Sequence, residues 1–275
     1  MSLKRSGLPL ADEEHDDEPF KEPWTPFTDE LGTEMVRILI GKNSYKKVFH
    51  VHKNILFDKI PCFKELSIDN RKIVEFPNHV PSAFDVLVEW VYTDCLRGIE
   101  IIGGDDQDFL RYRSWYPACL YQLAEELLLP ELMDRVMEVE RRFDDQHCPN
   151  YDPDSLKELY EKTSKTSKFR QYCAETIAYV VRNKAEKDIP TPELLSAMDN
   201  KDLAGDYLSI SRRVTIEDPS KGSGCRFHMH DKSEKCLAKD HPWEGKGTIS
   251  SHEQIKNKRI PPAKKPRLSK SPQES

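Results

Sequence analysis

Five side chains of the kinds that bind transition metals follow one another near the C-terminus. They are Cys225, His228, His230, Cys236 and His241, in the pattern Cys-x2-His-x-His-x5-Cys-x4-His. Thiolate and imidazole groups in this number suffice for a tetrahedral zinc site. The spacing fits no standard zinc finger well, and the surrounding Gly, Lys and Asp residues offer little core, so a metal would have to organise the segment itself. A zinc site and a flexible polar stretch both stay open; we favour the polar stretch and predict no metal and no cofactor.

Two clusters of basic residues follow this stretch. Their members are Lys256, Lys258, Arg259, Lys264, Lys265 and Arg267. Short basic runs in a Pro-containing, extended chain fit the acidic grooves of an import receptor. We therefore predict a nuclear signal and a nuclear protein, with a solvated tail on a cytoplasmic protein as the alternative. Phosphorylation of Ser271 would add about −1.5 to −2 charge beside the clusters and weaken such a contact.

The distribution of charge separates this tail from the rest of the chain. Residues 221–275 contain 13 Lys or Arg and 6 Asp or Glu, a net charge of +7, in a chain whose net charge is −6. The preceding residues therefore carry −13. Because nucleic acid binding depends on clustered cations, an acidic body is a poor nucleic acid surface, and any direct DNA contact would have to come from the tail.

The sequence contains no recognisable catalytic motif. It lacks a Gly-rich phosphate loop, a Gly-x-Ser-x-Gly elbow and a His-Glu-x-x-His pair. His50 and His52 would lie on the same face of a strand, where two imidazoles could form a ligand pair, but a structural role is favoured. We predict that the protein is not an enzyme, with no catalytic or cofactor-binding residues and no small-molecule substrate.

Composition places the chain among intracellular interaction proteins. Its 275 residues, 33% of them charged, can form one globular body with extensions. No apolar run approaches the ~20 residues that span a bilayer, and the charged N-terminus lacks a signal-peptide core, so no membrane contact is expected. Seven cysteines without a compact framework fit reduced thiols in the cytosol or nucleus.

The order of predicted elements comes from periodicity. Residues 36–40 and 48–51 alternate as two strands of a hairpin around Gly41, and residues 73–76 predict a third short strand. A helix ends near Thr93, and a helical hairpin over residues 120–142 has its second helix starting at Pro130. Further helices are predicted after Pro153, around residues 169–180, and from Thr191.

Within this order, one set of residues resembles the core motif of the BTB (POZ) domain, whose pattern is Phe-x-(Val/Ala)-His-Lys-x-x-Leu followed by a helix ending near Phe. The matching residues are Phe49, Val51, His52, Lys53, Leu56 and Phe63, followed by the pair Tyr92-Thr93 at the end of a helix. The resemblance covers residues 34–143 and is nearest to the fungal branch of the family. Two features depart from it: Ile60 stands where the family usually has Ser, and the connection over residues 96–117 is longer than usual.

The resemblance implies an α+β fold, a small β-sheet flanked by α-helical hairpins, with a C-terminal helical extension and disordered termini. The corresponding organisation is a disordered acidic N-terminus (1–30), a BTB domain (31–145), a helical extension (150–213) and a disordered basic tail (214–275). Domains of this type dimerise through their first helices and a sheet edge, and many are substrate adaptors of cullin ubiquitin ligases. We therefore predict a scaffold that binds other proteins, forms a homodimer and has a cullin among its partners. A nuclear transcription-regulatory scaffold and a zinc-organised nucleic acid binder are the alternatives.

Overall fold

The structure is a computed structural model, and it describes residues 27–66, 73–101, 113–147, 153–185, 189–222, 224–231 and 233–236. Ten α-helices and three strands lie in these ranges. They are α1 Phe27–Leu31, β1 Met35–Ile40, β2 Lys47–His52, α2 Lys53–Lys59, α3 Cys62–Leu66, β3 Val74–Phe76, α4 Pro81–Thr93, α5 Pro117–Glu126, α6 Pro130–His147, α7 Pro153–Lys162, α8 Lys168–Asn183, α9 Thr191–Met198 and α10 Lys201–Ser211. The fold is a mixture of helices with one small sheet, which is compatible with the predicted α+β class.

The three strands form a sheet of order β2-β1-β3. Buried and exposed residues alternate along β1 and β2, so each strand buries one face. The predicted hairpin is confirmed. Its turn requires glycine at position 41, because Gly41 has φ +91° and a Cβ atom there would lie 2.7 Å from the carbonyl oxygen of Tyr45. The third strand is also confirmed, beginning at Val74.

Two compact units are distinguished among the described residues. One comprises the residues up to Ile38 together with Val48–Val74, and the other comprises Leu39–Lys47 together with the residues from Glu75 onward. The first unit has its own apolar core. Its buried side chains are Val36, Ile38, Phe49, Val51, Leu56, Ile60, Phe63 and Val74.

The second unit contains α4 to α10. The predicted helical hairpin is confirmed as α5 and α6, and α6 begins at Pro130 as expected. The later helices pack against this hairpin: the ring of Tyr121 on α5 lies 5.2 Å from that of Phe169 on α8, and Glu125 accepts a hydrogen bond of 2.6 Å from the Ser164 hydroxyl. The predicted helical extension is therefore part of the same unit as α5 and α6.

Helix α10 lies within the predicted helical extension (150–213), although no separate helix was predicted at this place. It begins after Asn200, whose side-chain oxygen accepts hydrogen bonds of 3.1 Å from the backbone N–H groups of Asp202 and Leu203. Leu203 and Ile210 are buried, and α10 contacts α7, α8 and α9.

The structure also differs from the prediction of disorder after residue 213. Described residues continue to Cys236, and Phe227 and His228 are 1% and 3% exposed. The physical reason is that this stretch buries an aromatic ring and several charged groups against α6 and α8, as detailed below. We call the described residues of 219–236 the C-terminal segment.

No helix among the described ranges has the length and apolar character needed to cross a bilayer.

Candidate metal centre

Four of the five predicted metal-ligand candidates lie together in the structure. They are Cys225, His228, His230 and Cys236, and one ligand atom from each lies within 4.8 Å of all the others. The Nδ1 atom of His228 lies 3.2 Å from Nε2 of His230 and 3.3 Å from Sγ of Cys236. His228 is buried, and the other three are half-buried. The donor atoms of two imidazoles and two thiols therefore converge on one point.

Two tight turns bring these side chains together. The backbone N–H of His228 donates a hydrogen bond of 3.1 Å to the carbonyl of Cys225, so the first two candidates flank a single turn. A second turn closes when the Glu234 N–H donates to the Asp231 carbonyl at 3.0 Å, and the Glu234 carboxylate accepts from the Asp231 N–H at 3.0 Å. This second turn reverses the chain between His230 and Cys236.

A carboxylate on α6 orients the buried histidine. Nε2 of His228 lies 2.8 Å from Oε1 of Glu138, and with Nε2–H donating to that oxygen the Nδ1 lone pair points toward the cluster. Burial would raise the pKa of Glu138, but the hydrogen bond from His228 and the charge of Arg141 outweigh it and lower the pKa below its usual range. Glu138 is therefore an ionised acceptor at neutral pH.

The second histidine is oriented by the backbone. Nδ1 of His230 lies 2.9 Å from the carbonyl oxygen of Asp231, which leaves Nε2 directed toward His228. The hydrogen bond to this carbonyl raises the pKa of His230, and the Cys225 side chain, also hydrogen-bonded to the ring, adds to the shift. Each imidazole thus has one nitrogen fixed by an oxygen acceptor and the other in the cluster.

A buried arginine on α6 holds the chain that leads into the cluster. The Arg141 guanidinium donates hydrogen bonds of 2.8 to 3.3 Å to four backbone carbonyls, those of Pro219, Lys221, Gly222 and Gly224. It also contacts the Glu138 carboxylate at 2.7 Å. Because Arg presents five donors in a rigid fork, one side chain fixes the backbone of the whole turn.

Further contacts fasten the residues between the candidate ligands. The ring of Phe227 lies 5.1 Å from that of Tyr172 on α8 in an edge-to-face arrangement. Arg226 forms an ion pair with the buried carboxylate of Glu175 on α8. The backbone N–H of Met229 donates to the Asp134 carboxylate on α6. The C-terminal segment is therefore attached to both α6 and α8.

The residues of the BTB-like motif lie elsewhere. Phe49, Val51, Leu56 and Phe63 are buried core residues of the first unit. Lys53 pairs with Glu34 at 2.6 Å and its backbone N–H donates to the Glu34 carbonyl at 2.8 Å. His52 and Tyr92 are half-buried, and His50 is exposed.

Several predicted site residues fall outside the described ranges. These are His241, the nuclear-signal residues Lys256, Lys258, Arg259, Lys264, Lys265 and Arg267, and Ser271.

Sequence analysis missed the charged residues of α6 that support the cluster. Asp134, Glu138 and Arg141 recur three to four residues apart, a spacing that places them on one helical face. Such a stripe ordinarily faces solvent, so the spacing alone does not mark it as a contact surface. The spacing could have indicated only that α6 has a single polar face, which a polar segment elsewhere in the chain could contact.

The arrangement has the donor chemistry of a transition-metal site. Two thiolates and two imidazoles suit zinc, and four protein ligands would fill a tetrahedral shell. Such a closed site stabilises structure, because no position is left for a substrate or an activated water.

Comparisons of the chain with protein-family models, with curated proteins and with solved structures give no match.

Proposed function

We propose that this protein is a protein-interaction scaffold of BTB type that self-associates and recruits other proteins. The observation that carries the proposal is the order of elements in the first part of the chain. Two hairpin strands, two short helices, a third strand, a helix ending at Thr93 and a helical hairpin follow one another. The resemblance at residues 34–143 implies the same order, with one short helix where this chain has two.

The placement of the motif residues supports the same proposal. Four of them belong to the buried core of the first unit, which is what a fold-defining motif requires. Lys53 begins α2 and forms an ion pair with Glu34, the residue before β1, and this pair connects the start of the helix to the start of the strand. His52 lies at the strand-to-helix junction. These roles are structural, so the motif acts by building the domain and not by binding a ligand.

The pKa values of the cysteine thiols do not support an enzymatic function. Burial raises the pKa of Cys119 to about 11, and burial is also the largest cause of the raised pKa values of Cys62 and Cys95. A catalytic cysteine needs the opposite shift, because the thiolate is the nucleophile. The proposal therefore assigns no reaction to these residues.

As an adaptor, the chain would act by proximity. A scaffold that holds a ligase subunit and a substrate together raises the effective concentration of one for the other without making a bond itself. A cullin is the first partner to test. The alternative is a nuclear regulatory scaffold, for which the basic clusters at residues 256–259 and 264–267 would supply import.

A zinc-organised nucleic acid binder has less support. The Cys and His cluster lies beside the carboxylates of Asp134 and Glu138 on α6. Glu234 and Asp231 form its second turn. Carboxylates repel phosphates, and one of the two imidazoles is buried, so these groups do not favour binding of a nucleic acid.

The test of the proposed function is capture from cells. Two differently tagged copies of the full chain are expressed together, one is captured at moderate salt, and the bound proteins are identified by mass spectrometry. We expect the second tag to be recovered with the first, together with a cullin if the adaptor reading holds. Chromatin or transcription factors without a cullin would favour the nuclear alternative. Recovery of neither the second tag nor any stoichiometric partner would refute the scaffold.

The nuclear part of the proposal has its own test. A fluorescent fusion with Lys264→Ala, Lys265→Ala and Arg267→Ala should lose nuclear accumulation, because an import receptor reads the charge of this cluster. A fusion with Lys184→Ala and Lys201→Ala, both exposed, removes charge from the helical body as a control. Unchanged nuclear fluorescence in the triple variant would remove the import proposal.

A further inference from the structure

We propose that Cys225, His228, His230 and Cys236 bind one Zn²⁺ ion, and that this ion fastens the C-terminal segment onto α6 and α8. The inference is independent of the scaffold function proposed above, since it rests on the second unit alone. It assigns a structural metal site to residues that the motif at residues 34–143 does not include.

The distances between donor atoms suit the ion. With Zn–N bonds of about 2.0–2.1 Å and Zn–S bonds of about 2.3 Å, neighbouring donors of a tetrahedral site lie about 3.3–3.8 Å apart. The pairs His228–His230 and His228–Cys236 are separated by 3.2 and 3.3 Å. The remaining pairs lie within 4.8 Å, so a contraction of no more than about 1.5 Å completes the shell.

The outer contacts are those of a metal-binding histidine pair. Metal-bound imidazoles usually donate their second N–H to a carboxylate or a backbone carbonyl, which fixes the ring and the tautomer. His228 has Glu138 in this place at 2.8 Å, and His230 has the Asp231 carbonyl at 2.9 Å. In a polar turn without a metal, nothing would require both rings to be held so that Nδ1 of His228 and Nε2 of His230 face each other.

The donor set also selects the metal. Thiolates and imidazoles favour zinc over Mg²⁺ and Ca²⁺, which prefer oxygen ligands. Two thiolates neutralise the charge of the ion, and the nearby Glu138 carboxylate stabilises the bound imidazole. Because all four positions are filled by protein, the site is structural.

The segment needs such a fastening. Phe227 and Pro219 are its buried apolar side chains among the described residues, and most of its other contacts are polar. So short a stretch buries too little apolar surface to order itself, whereas binding of a structural zinc contributes directly to folding. Occupancy of the metal site should therefore control whether the segment stays on α6 and α8.

Metal analysis of the full-length protein tests the proposal. The chain is purified under reducing conditions, stripped with a chelator and resupplied with Zn²⁺ or Co²⁺. We expect one equivalent of zinc per chain and, with cobalt, the visible absorption of a tetrahedral site with a thiolate-to-cobalt charge-transfer band. Cys236→Ser should abolish the charge-transfer intensity of one thiolate and weaken zinc binding at least tenfold. Cys95→Ser and His50→Asn, outside the cluster, should leave both unchanged.

Two results would overturn it. One is a full-length wild-type chain that takes up no zinc at stoichiometric supply while its circular dichroism shows a folded protein. The other is zinc uptake that Cys236→Ser does not alter. The wild-type cobalt spectrum decides the case even if the variant does not fold, because a spectrum without thiolate charge transfer excludes the proposed ligands.

Discussion

The imidazole of His228 lies 2.8 Å from the carboxylate of Glu138, although 90 positions separate the two residues in the sequence. This contact joins the Cys and His cluster to the middle of α6. It also determines which imidazole nitrogen faces the cluster. A stretch that reads as a polar tail in the sequence is thereby connected to the helical body.

The first prediction concerns this contact. Glu138→Gln keeps the size of the side chain and removes its charge, so the imidazole loses its anionic partner. We expect zinc affinity to fall about 10–100-fold with one equivalent still bound at saturation. Competition with a chromophoric chelator measures the affinity. The control is Glu158→Gln, which removes an exposed carboxylate paired with Lys162 on α7; equal affinities of wild type and Glu138→Gln would contradict the role of Glu138.

The second prediction concerns the arginine that holds four backbone carbonyls. Arg141→Met keeps the aliphatic stem and removes every donor, so the turn at residues 219–224 should detach. We expect a loss of about 2 kcal/mol in the free energy of unfolding and faster tryptic cleavage after Lys221. Arg182→Met is the control, because Arg182 is exposed and donates to the single carbonyl of Arg213 at 3.0 Å. Cleavage at Lys221 as slow in Arg141→Met as in Arg182→Met would count against this role.

A third prediction follows from the raised pKa of Cys119. A thiol with a pKa of about 11 is about one-thousandth ionised at pH 8, against about a tenth for an ordinary pKa of 9.0. Alkylation of Cys119 by iodoacetamide at pH 8 should therefore be about 100-fold slower in the folded protein than in denaturant. Peptide mass spectrometry over time measures both rates. Similar rates in the two conditions would show that the thiol is not shielded.

A fourth prediction tests the cap of α10. Asn200→Ala removes the oxygen that accepts from Asp202 and Leu203, and we expect a loss of about 1 kcal/mol of stability. Asn183→Ala, at the end of α8, removes a side chain that donates to the Tyr179 carbonyl and does not cap a helix start. Urea unfolding of the two variants and the wild type compares the effects. A midpoint for Asn200→Ala equal to that of Asn183→Ala would mean that the cap contributes nothing.

Local patterns predicted most of the secondary structure. The alternation around Phe49 and Val51, the glycine at position 41 and the prolines at 130 and 153 are short-range signals, and the corresponding strands, turn and helix starts are present. Helix α10 was not predicted as a separate helix of the extension, because Gly205 and several polar residues obscure its period. Its cap at Asn200 was the available signal.

The candidate metal centre was only half predictable. Residue types marked Cys225, His228, His230, Cys236 and His241 as possible ligands, because ligand chemistry is visible in the sequence, although the prediction favoured a polar stretch without a metal. The position of these side chains in space could not be predicted, because it depends on contacts with α6 and α8, which are distant in the sequence. The contacts of Arg141, for example, join residues that are 78 or more positions apart. Burial of a charged helix face by a polar segment follows from tertiary packing, which periodicity cannot report.

Self-association is the central claim of the scaffold proposal, and sedimentation equilibrium of the full-length protein measures it directly. In the described sheet β2 is an edge strand, and Val48 on it is 42% exposed. We predict a mass of twice the 32.0 kDa chain for the wild type and for Leu208→Lys, a control at an exposed position of α10. Val48→Lys should sediment as a single chain, because lysine on an edge strand opposes pairing. A wild-type mass of 32.0 kDa at every concentration would contradict the proposal.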